Sequence, residues 1–464
     1  MRNRVFNSFA IAIATLAVAG CSVGPKYKAP QPEAAKFHAE DQQLETNQPF
    51  DARWWNQFED PVLNDLVQKA LAANTSIRIA QAHLGESRAI YDERKLDLYP
   101  KVPADASYTY AKQQIPGFYD DPVTINTFRA GFDATWEIDL FGRVRHETKA
   151  ASSQAQASAE DLHYVEVSIV AELARNYFEL RGAQWRLAVA KRQLENQKET
   201  LRLTKLRRDE GVGEELDVAS AAARVAATEA TIPTLELQEA STEYHLAVLT
   251  GTRPGELQAD LSPRNYTPID KAIPIGDAAD LLRRRPDVRA AERRLSAAVE
   301  TQGVAVAGLF PTVNVATFVG FLAGRGSLFF TTRSFATTAS PSVTWSAFDI
   351  GRARARVRGA KAGTDEAMAT YDDTVLRALE ETETAFSSYH AQQQRLVRLD
   401  TQALESKRYA DIARLRYKEG VTDFLTLLDA ERTQLEAEDQ VAQSESDTYV
   451  AVIAIYKALG GVPN

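Results

Sequence analysis

The chain has 464 residues, 44% hydrophobic and 25% charged, which is enough apolar material for a sizeable core at an ordinary charge density. Lys and Arg total 54 against 63 Asp and Glu, a formal charge of −9, so nucleic acid is excluded as the main ligand: an acidic chain repels phosphate. One Cys excludes an internal disulfide framework and a Cys-rich zinc or iron–sulfur site, and two Met exclude a soft-metal relay. The six His stand at 38, 83, 146, 163, 245 and 390, and none forms an HExxH-type pair, so no metal and no diffusible cofactor is expected.

Arg2 and Arg4 open the chain, and an apolar run from Phe9 to Gly20 stops at Cys21. Such a run spans ~18 Å as helix, whereas a bilayer needs ~20 apolar residues. Residues 1–20 therefore read as a secretory signal peptide. The join Val18-Ala19-Gly20-Cys21 resembles a bacterial lipobox, whose Cys becomes the first residue and carries acyl chains. An ordinary signal peptide with a chance Cys is the alternative, but the sole Cys occupies the one position that the motif requires. Ser22 follows where Asp usually signals inner-membrane retention, so outer-membrane delivery is compatible. Residues 21–58, with Pro25, Pro30, Pro32 and Pro49, are predicted as an acylated, extended arm. No later segment offers ~18 uninterrupted apolar residues, so further membrane contact falls to strands or lipid.

The rest is written twice, with an offset of about 210 residues. Ile77-Arg78-Ile79-Ala80 through Leu98-Tyr99-Pro100 parallels Val288-Arg289-Ala290-Ala291 through Leu309-Phe310-Pro311. Trp136 with Gly142-Arg143 parallels Trp345 with Gly351-Arg352, and Gly211-Val212 parallels Gly420-Val421. The predicted organisation is a first repeat over 59–250, a Pro-rich connector over 251–286 and a second repeat over 287–464. In the first repeat, Asp60-Pro61 opens a helix as N-cap and first-turn Pro. Leu63, Leu66, Val67, Ala70 and Leu71 give it an apolar face. Asn74-Thr75-Ser76 marks a break, and a second helix runs to Leu98. Two period-two strands follow, Val102 to Tyr110 and Phe128 to Trp136, around a loop from Gln113 to Asn126. The second repeat has Val313 to Phe321 and then Val343, Trp345 and Ala347, with a loop from Ala323 to Thr338. Long helices are predicted from about Ser153 to Glu210, roughly 85 Å, and from about Ala360 to Lys418. Leu173, Leu180, Leu187, Leu194 and Leu201 fall every seventh residue, a coiled-coil seam. After each Gly-Val turn a long helix returns, Leu216 to Leu249 and Leu425 to Ala458.

Helices of that length do not fold into a ball of ordinary domain radius. Strands of about ten residues with one apolar and one polar face match an outer-membrane barrel wall. Four strands leave two open edges, which lipid does not tolerate, so closure needs several chains: two give eight strands and three give twelve. An eight-stranded barrel fills its own interior, which favours three or more copies.

The residues Cys21-Ser-Val-Gly24-Pro25-Lys-Tyr27-Lys-Ala-Pro30, Asp60-Pro61-Val-Leu63-Asn-Asp-Leu66 and Gly420-Val421-Thr-Asp-Phe-Leu425-Thr-Leu-Leu428-Asp429-Ala430, on twinned halves, resemble the outer-membrane efflux proteins of TolC and OprM type, in the lipoprotein branch serving resistance-nodulation-division pumps. The resemblance implies a mainly α fold with a small membrane β portion: a homotrimer whose twelve-stranded barrel sits in the outer membrane above a long coiled-coil α-barrel in the periplasm. It implies a passive export duct and no enzyme, with a periplasmic adaptor and an inner-membrane transporter as partners and a covalent lipid on Cys21. A type I protein-secretion duct and an envelope-tethering lipoprotein are the alternatives. Carried over by position, Leu425 and Asp429 match the periplasmic gate. They lie at i and i+4 on one helix face. Threefold symmetry would stack an apolar ring on an acidic, cation-favouring one. The helix tips at Gly211, Val212, Gly420 and Val421 are the expected adaptor-docking points. No Walker loop, GxSxG elbow or paired-carboxylate motif is present.

Overall fold

The computed structural model describes residues 22–30, 45–46, 53–117, 119–265, 273–274 and 283–460. The expected signal peptide, Cys21 and much of the arm lie outside the described residues. In chain order the elements are β1 (Glu45–Thr46), a 3-10 turn (Trp54–Phe58), α1 (Pro61–Ala73), α2 (Thr75–Leu96), β2 (Ala104–Ile115), β3 (Tyr119–Ile138), α3 (Arg143–Asp209), α4 (Glu215–Leu249), β4 (Ile273–Pro274), α5 (Pro286–Ala307), β5 (Thr312–Ala323), β6 (Phe335–Thr344), α6 (Ile350–Lys418) and α7 (Phe424–Ala458). Two compact units result, and each draws on both halves of the duplicated sequence.

The first unit takes the described residues within Met1–Gln31, His83–Ala159 and Ala290–Asp373. Its centre is an antiparallel sheet in the order β2-β3-β5-β6. Register sorts the side chains by face. Tyr108 pairs with Phe128, Phe132 with Val319, Trp136 with Val315, and Phe321 with Phe335, which builds one continuous apolar face. That face is open: Tyr110 is 61% exposed, Phe132 59% and Val343 67%. Asp105, Arg129, Asp133 and Asn314 fall on the other face. There the Arg129 guanidinium lies 2.5 Å from both Asp105 and Asp133, over the Phe318 ring. The duplication shows in the hydrogen bonds as well. Trp136 Nε1 donates to the Leu98 carbonyl and Trp345 Nε1 to the Leu309 carbonyl, each at 3.1 Å.

Several boundaries differ from expectation. Most of the Gln113–Asn126 loop is ladder: β2 and β3 run on to a turn at Pro116-Gly117, with a register shift between Gln113 and Ile115. This part pairs through its backbone, so it needs no apolar alternation. In the second repeat the loop shrinks because β6 already begins at Phe335. β6 ends at Thr344, so Trp345 leaves the ladder and Ala347 starts a 3-10 turn. The α2 helix stops at Leu96. Both long helices start about ten residues early. Asp139 Oδ2 accepts from the Arg145 backbone N–H at 2.9 Å and caps the start of α3, a side-chain cap.

The second unit takes the described residues within Pro32–Ala82, Glu160–Arg289 and Thr374–Asn464. Leu173, Leu180, Leu187 and Leu194 of the seven-residue series are all buried. The arm is not simply extended here: Trp54 and Trp55 are buried, and Trp54 stacks on Tyr456 at 5.3 Å. β1 and β4 form a two-stranded parallel pair. The described start of the connector, residues 251–265, is tied down too. Arg181 donates to the Ser262 carbonyl at 2.6 Å, and Trp185 donates to that of Arg264, also at 2.6 Å.

Asp60 joins these parts. Its Oδ1 accepts from the Val62 N–H at 2.9 Å, caps α1, and also accepts from Arg264 at 3.1 Å. Its Oδ2 accepts from the Tyr177 hydroxyl. Burial, then this bond, pushes the Tyr177 hydroxyl above its ordinary range. Asp60→Ala loses the cap and leaves the Tyr177 hydroxyl, which still accepts from Arg181, with no acceptor for its own proton, so destabilisation of about 2–4 kcal/mol is expected in chemical unfolding of the detergent-purified protein. A change below the error of that measurement would contradict it.

Glu445 of α7 is pushed up to about 7, first by burial and then by the neighbouring Asp400 carboxylate. The folded chain thus binds a proton there more readily than the unfolded chain. That stability is present below the usual carboxylate value of 4.5 and is lost as pH rises toward about 7. Glu445→Gln is expected to flatten this loss in melting curves between pH 4.5 and 8. Parallel curves for the two proteins would contradict it.

Candidate functional site

The ends of the helical hairpins are built alike. In each, a glycine in the left-handed region ends the long helix: Gly211 at φ +78° and Gly420 at φ +73°. The Gly211 N–H bonds the Arg208 carbonyl at 2.9 Å and the Val212 N–H that of Arg207 at 3.0 Å. In the second hairpin the Gly420 N–H bonds Tyr417 at 3.0 Å and the Val421 N–H bonds Arg416 at 2.8 Å. This is the Schellman closure, which needs a residue without Cβ strain at its left-handed position. The valine after each glycine points outward, Val212 being 65% and Val421 63% exposed. One turn on, Leu216 and Leu425 are each 66% exposed, so each tip carries two bare aliphatic side chains.

Beneath the tips, Ala221, Ala410, Ala413, Tyr417, Phe424, Leu427 and Ala430 form one core. Arg207 joins the two hairpins. It donates to the Tyr417 carbonyl at 2.7 Å, and its guanidinium lies 4.6 Å from the Tyr417 ring centre. Deeper in, the buried Glu431 accepts from Thr200 at 2.9 Å and lies 3.3 Å from Arg414. Burial pushes the Glu431 carboxyl up, while Thr200 and Arg414 pull it down.

Leu425 and Asp429 stand on α7, whose N-cap Asp423 accepts from the Thr426 N–H at 2.7 Å. Leu427 and Ala430 turn into the core, leaving Leu425 and Asp429 on an outward face. Asp429 is not a lone acid: Arg432 Nη2 lies 2.9 Å from it, and the same guanidinium reaches Glu436 at 3.1 Å. Neither Arg207 nor Arg432 was singled out from sequence. Arg432 could have been found from its i−3 and i+4 acids. The Arg207 partner lies 210 residues away. Cys21 falls outside the described residues. Among the described residues, no group of three or more His, Cys, Asp or Glu could hold a metal ion, and no helix is long and apolar enough to cross a membrane.

A sheet with one bare apolar face, carried on helices of 67 and 69 residues, defines an outer-membrane channel subunit. The chain belongs to the outer membrane efflux protein family, which it matches over residues 66–252 and again over 278–461. The outer membrane protein OprJ of Pseudomonas aeruginosa is 28% identical, over 99% of this chain and 97% of that one. The antibiotic efflux pump outer membrane protein ArpC of Pseudomonas putida is 27% identical, over 97% and 94%. Among solved structures, the outer-membrane channel OprN superposes with a TM-score of 0.93 at 48% identity, covering 95% of this chain and 99% of that one. The MtrE outer membrane channel of Neisseria gonorrhoeae in its open state gives 0.81 at 26% identity, over 95% and 98%.

Arg207→Ala removes both the bond and the ring contact between the hairpins. Faster amide exchange by roughly tenfold is expected at residues 207–213 and 417–422, with the sheet unchanged. Equal exchange at both tips would show that the hairpins do not depend on each other.

Proposed function

We propose that this protein is the outer-membrane duct of a tripartite efflux system: a passive conduit, not an enzyme, that exports small molecules across the outer membrane and periplasm. The observation that carries this is the unfinished sheet. Four strands present a lipid-compatible face and two open edges, and three copies joined edge to edge make twelve strands around a polar lumen. Cys21 is the acylation site in this reading, and the chain is anchored in the outer membrane by lipid as well as by the barrel. A periplasmic adaptor docks on the hairpin tips at Gly211, Val212, Gly420 and Val421, where the two valines stand bare, and an inner-membrane transporter of the resistance-nodulation-division type supplies the energy. Relatives named for antibiotic and toluene efflux support small, partly apolar cargo.

Leu425 and Asp429 form the periplasmic gate in this reading. Three Leu425 side chains narrow the axis, and three Asp429 carboxylates set its charge. Arg432 tempers that charge, and a solvent-exposed pair of this kind is weak enough to exchange partners during opening. The purified protein should conduct in planar bilayers, preferring cations. Asp429→Ala should lower that preference, and Leu425→Ala with Asp429→Ala should raise conductance by roughly twofold or more. A protein that opens no pores, with or without these substitutions, would favour an envelope tether instead.

A further inference from the structure

One buried polar cluster in the first unit has no part in the duct. His146, in the first turn of α3, has a side chain only 5% exposed. Its Nδ1 lies 2.5 Å from Glu300 Oε2 on α5. Its Nε2 lies 2.8 Å from the Ser22 hydroxyl and 3.1 Å from the Val23 carbonyl. The Val23 N–H donates to the Phe141 carbonyl at 3.1 Å. Glycines keep the slot open. A Cβ on Gly142 would stand 2.7 Å from Ser22 Oγ, and one on Gly303 would stand 2.6 Å from His146 Nδ1. Farther along the same segment, the Tyr27 hydroxyl donates to Glu292, also on α5. Burial, then this bond, pushes that hydroxyl above its ordinary range.

A terminal segment held only by apolar packing could slide. This one is fixed by directional bonds to a buried imidazole and to backbone, and an unpaired buried carboxylate at Glu300 would be costly if the imidazole were removed. The slot lies at the foot of the sheet, since β3 ends at Ile138 and α3 begins at Arg143. Cys21 is one peptide bond from Ser22. We propose that His146 and Glu300 form a catch that holds Ser22 and Val23 at the foot of β3, so that the acyl chains on Cys21 enter the bilayer at a fixed place beside the strands. His146 is then a positioning residue for the lipid. The proposal rests on acylation of Cys21, which the test reads separately.

The full chain is expressed in bacteria fed a photoactivatable fatty acid, and wild type, His146→Ala, His146→Gln and Ser22→Ala are purified in detergent. Intact mass reports acylation, amide exchange reports the Val23 N–H, and cross-linked peptides report where the lipid lies. The catch predicts acylated wild type, a protected Val23 amide and cross-links concentrated on peptides around residues 136–142. His146→Ala and His146→Gln should stay acylated, exchange at Val23 roughly tenfold faster or more, and scatter the cross-links, with β3 and β5 exchange unchanged. Acylated variants with wild-type exchange and wild-type cross-links overturn the catch. If His146→Ala does not accumulate, the same result in His146→Gln and Ser22→Ala overturns it. Wild type without acyl mass overturns the lipidation reading itself.

Discussion

Backbone hydrogen bonding in a solvent that offers none is the constraint on which the rest of this molecule depends. Between lipid tails each unpaired N–H or C=O costs several kcal/mol, and a sheet survives only without edges. Here β3 and β5 are paired on both sides, while β2 and β6 each keep one open flank within the chain. The apolar face commits the sheet to lipid, and the two flanks leave it to be closed by further strands, which in the proposed duct come from other copies. The long helices follow from the same commitment. In the proposed duct a short sheet would give each copy little area with which to recognise another, and helices of 67 and 69 residues would extend that surface.

The duplication gives this arrangement its economy of parts. One grammar serves twice: helix, strand pair, long helix, Gly-Val turn, returning helix. The two tips close with the same pair of backbone bonds, and the two tryptophans at the strand ends donate to equivalent carbonyls. Yet the halves do not fold as separate bodies. Each compact unit contains pieces of both, so β3 of the first half pairs with β5 of the second, and Arg207 of the first half grips Tyr417 of the second.

What could be read from sequence follows from which forces leave a periodic trace. Asp60-Pro61, the leucine series from Leu173 and the Gly-Val turns mark burial and backbone geometry, and each sits where it was expected. The ladder between Gln113 and Asn126 was hidden because its bonds run between backbones and its side chains need no alternation. The start of α3 was hidden because its cap comes from Asp139, four residues before the helix, and its first turn lacks an apolar stripe. That Asp429 shares a helix face with Leu425, one turn apart, was legible from their spacing. The Arg207 contact with Tyr417 was not, because a sequence carries no mark of pairings formed across 210 residues. His146 looked like one scattered histidine, and only the fold brings it against Ser22 and Glu300.

The open flanks admit a direct test. Within one chain β2 and β6 are separated by two intervening strands, roughly 14 Å, too far for a disulfide. A protein carrying Ser107→Cys on β2, combined in turn with Thr338→Cys, Ser340→Cys and Ser342→Cys on β6, can therefore form bridges between those sites only across copies. Oxidation of membranes containing these proteins should yield, for at least one pairing, a covalent species of three chains that reduction returns to one. A folded protein that stays a single chain across the whole series would contradict the shared barrel.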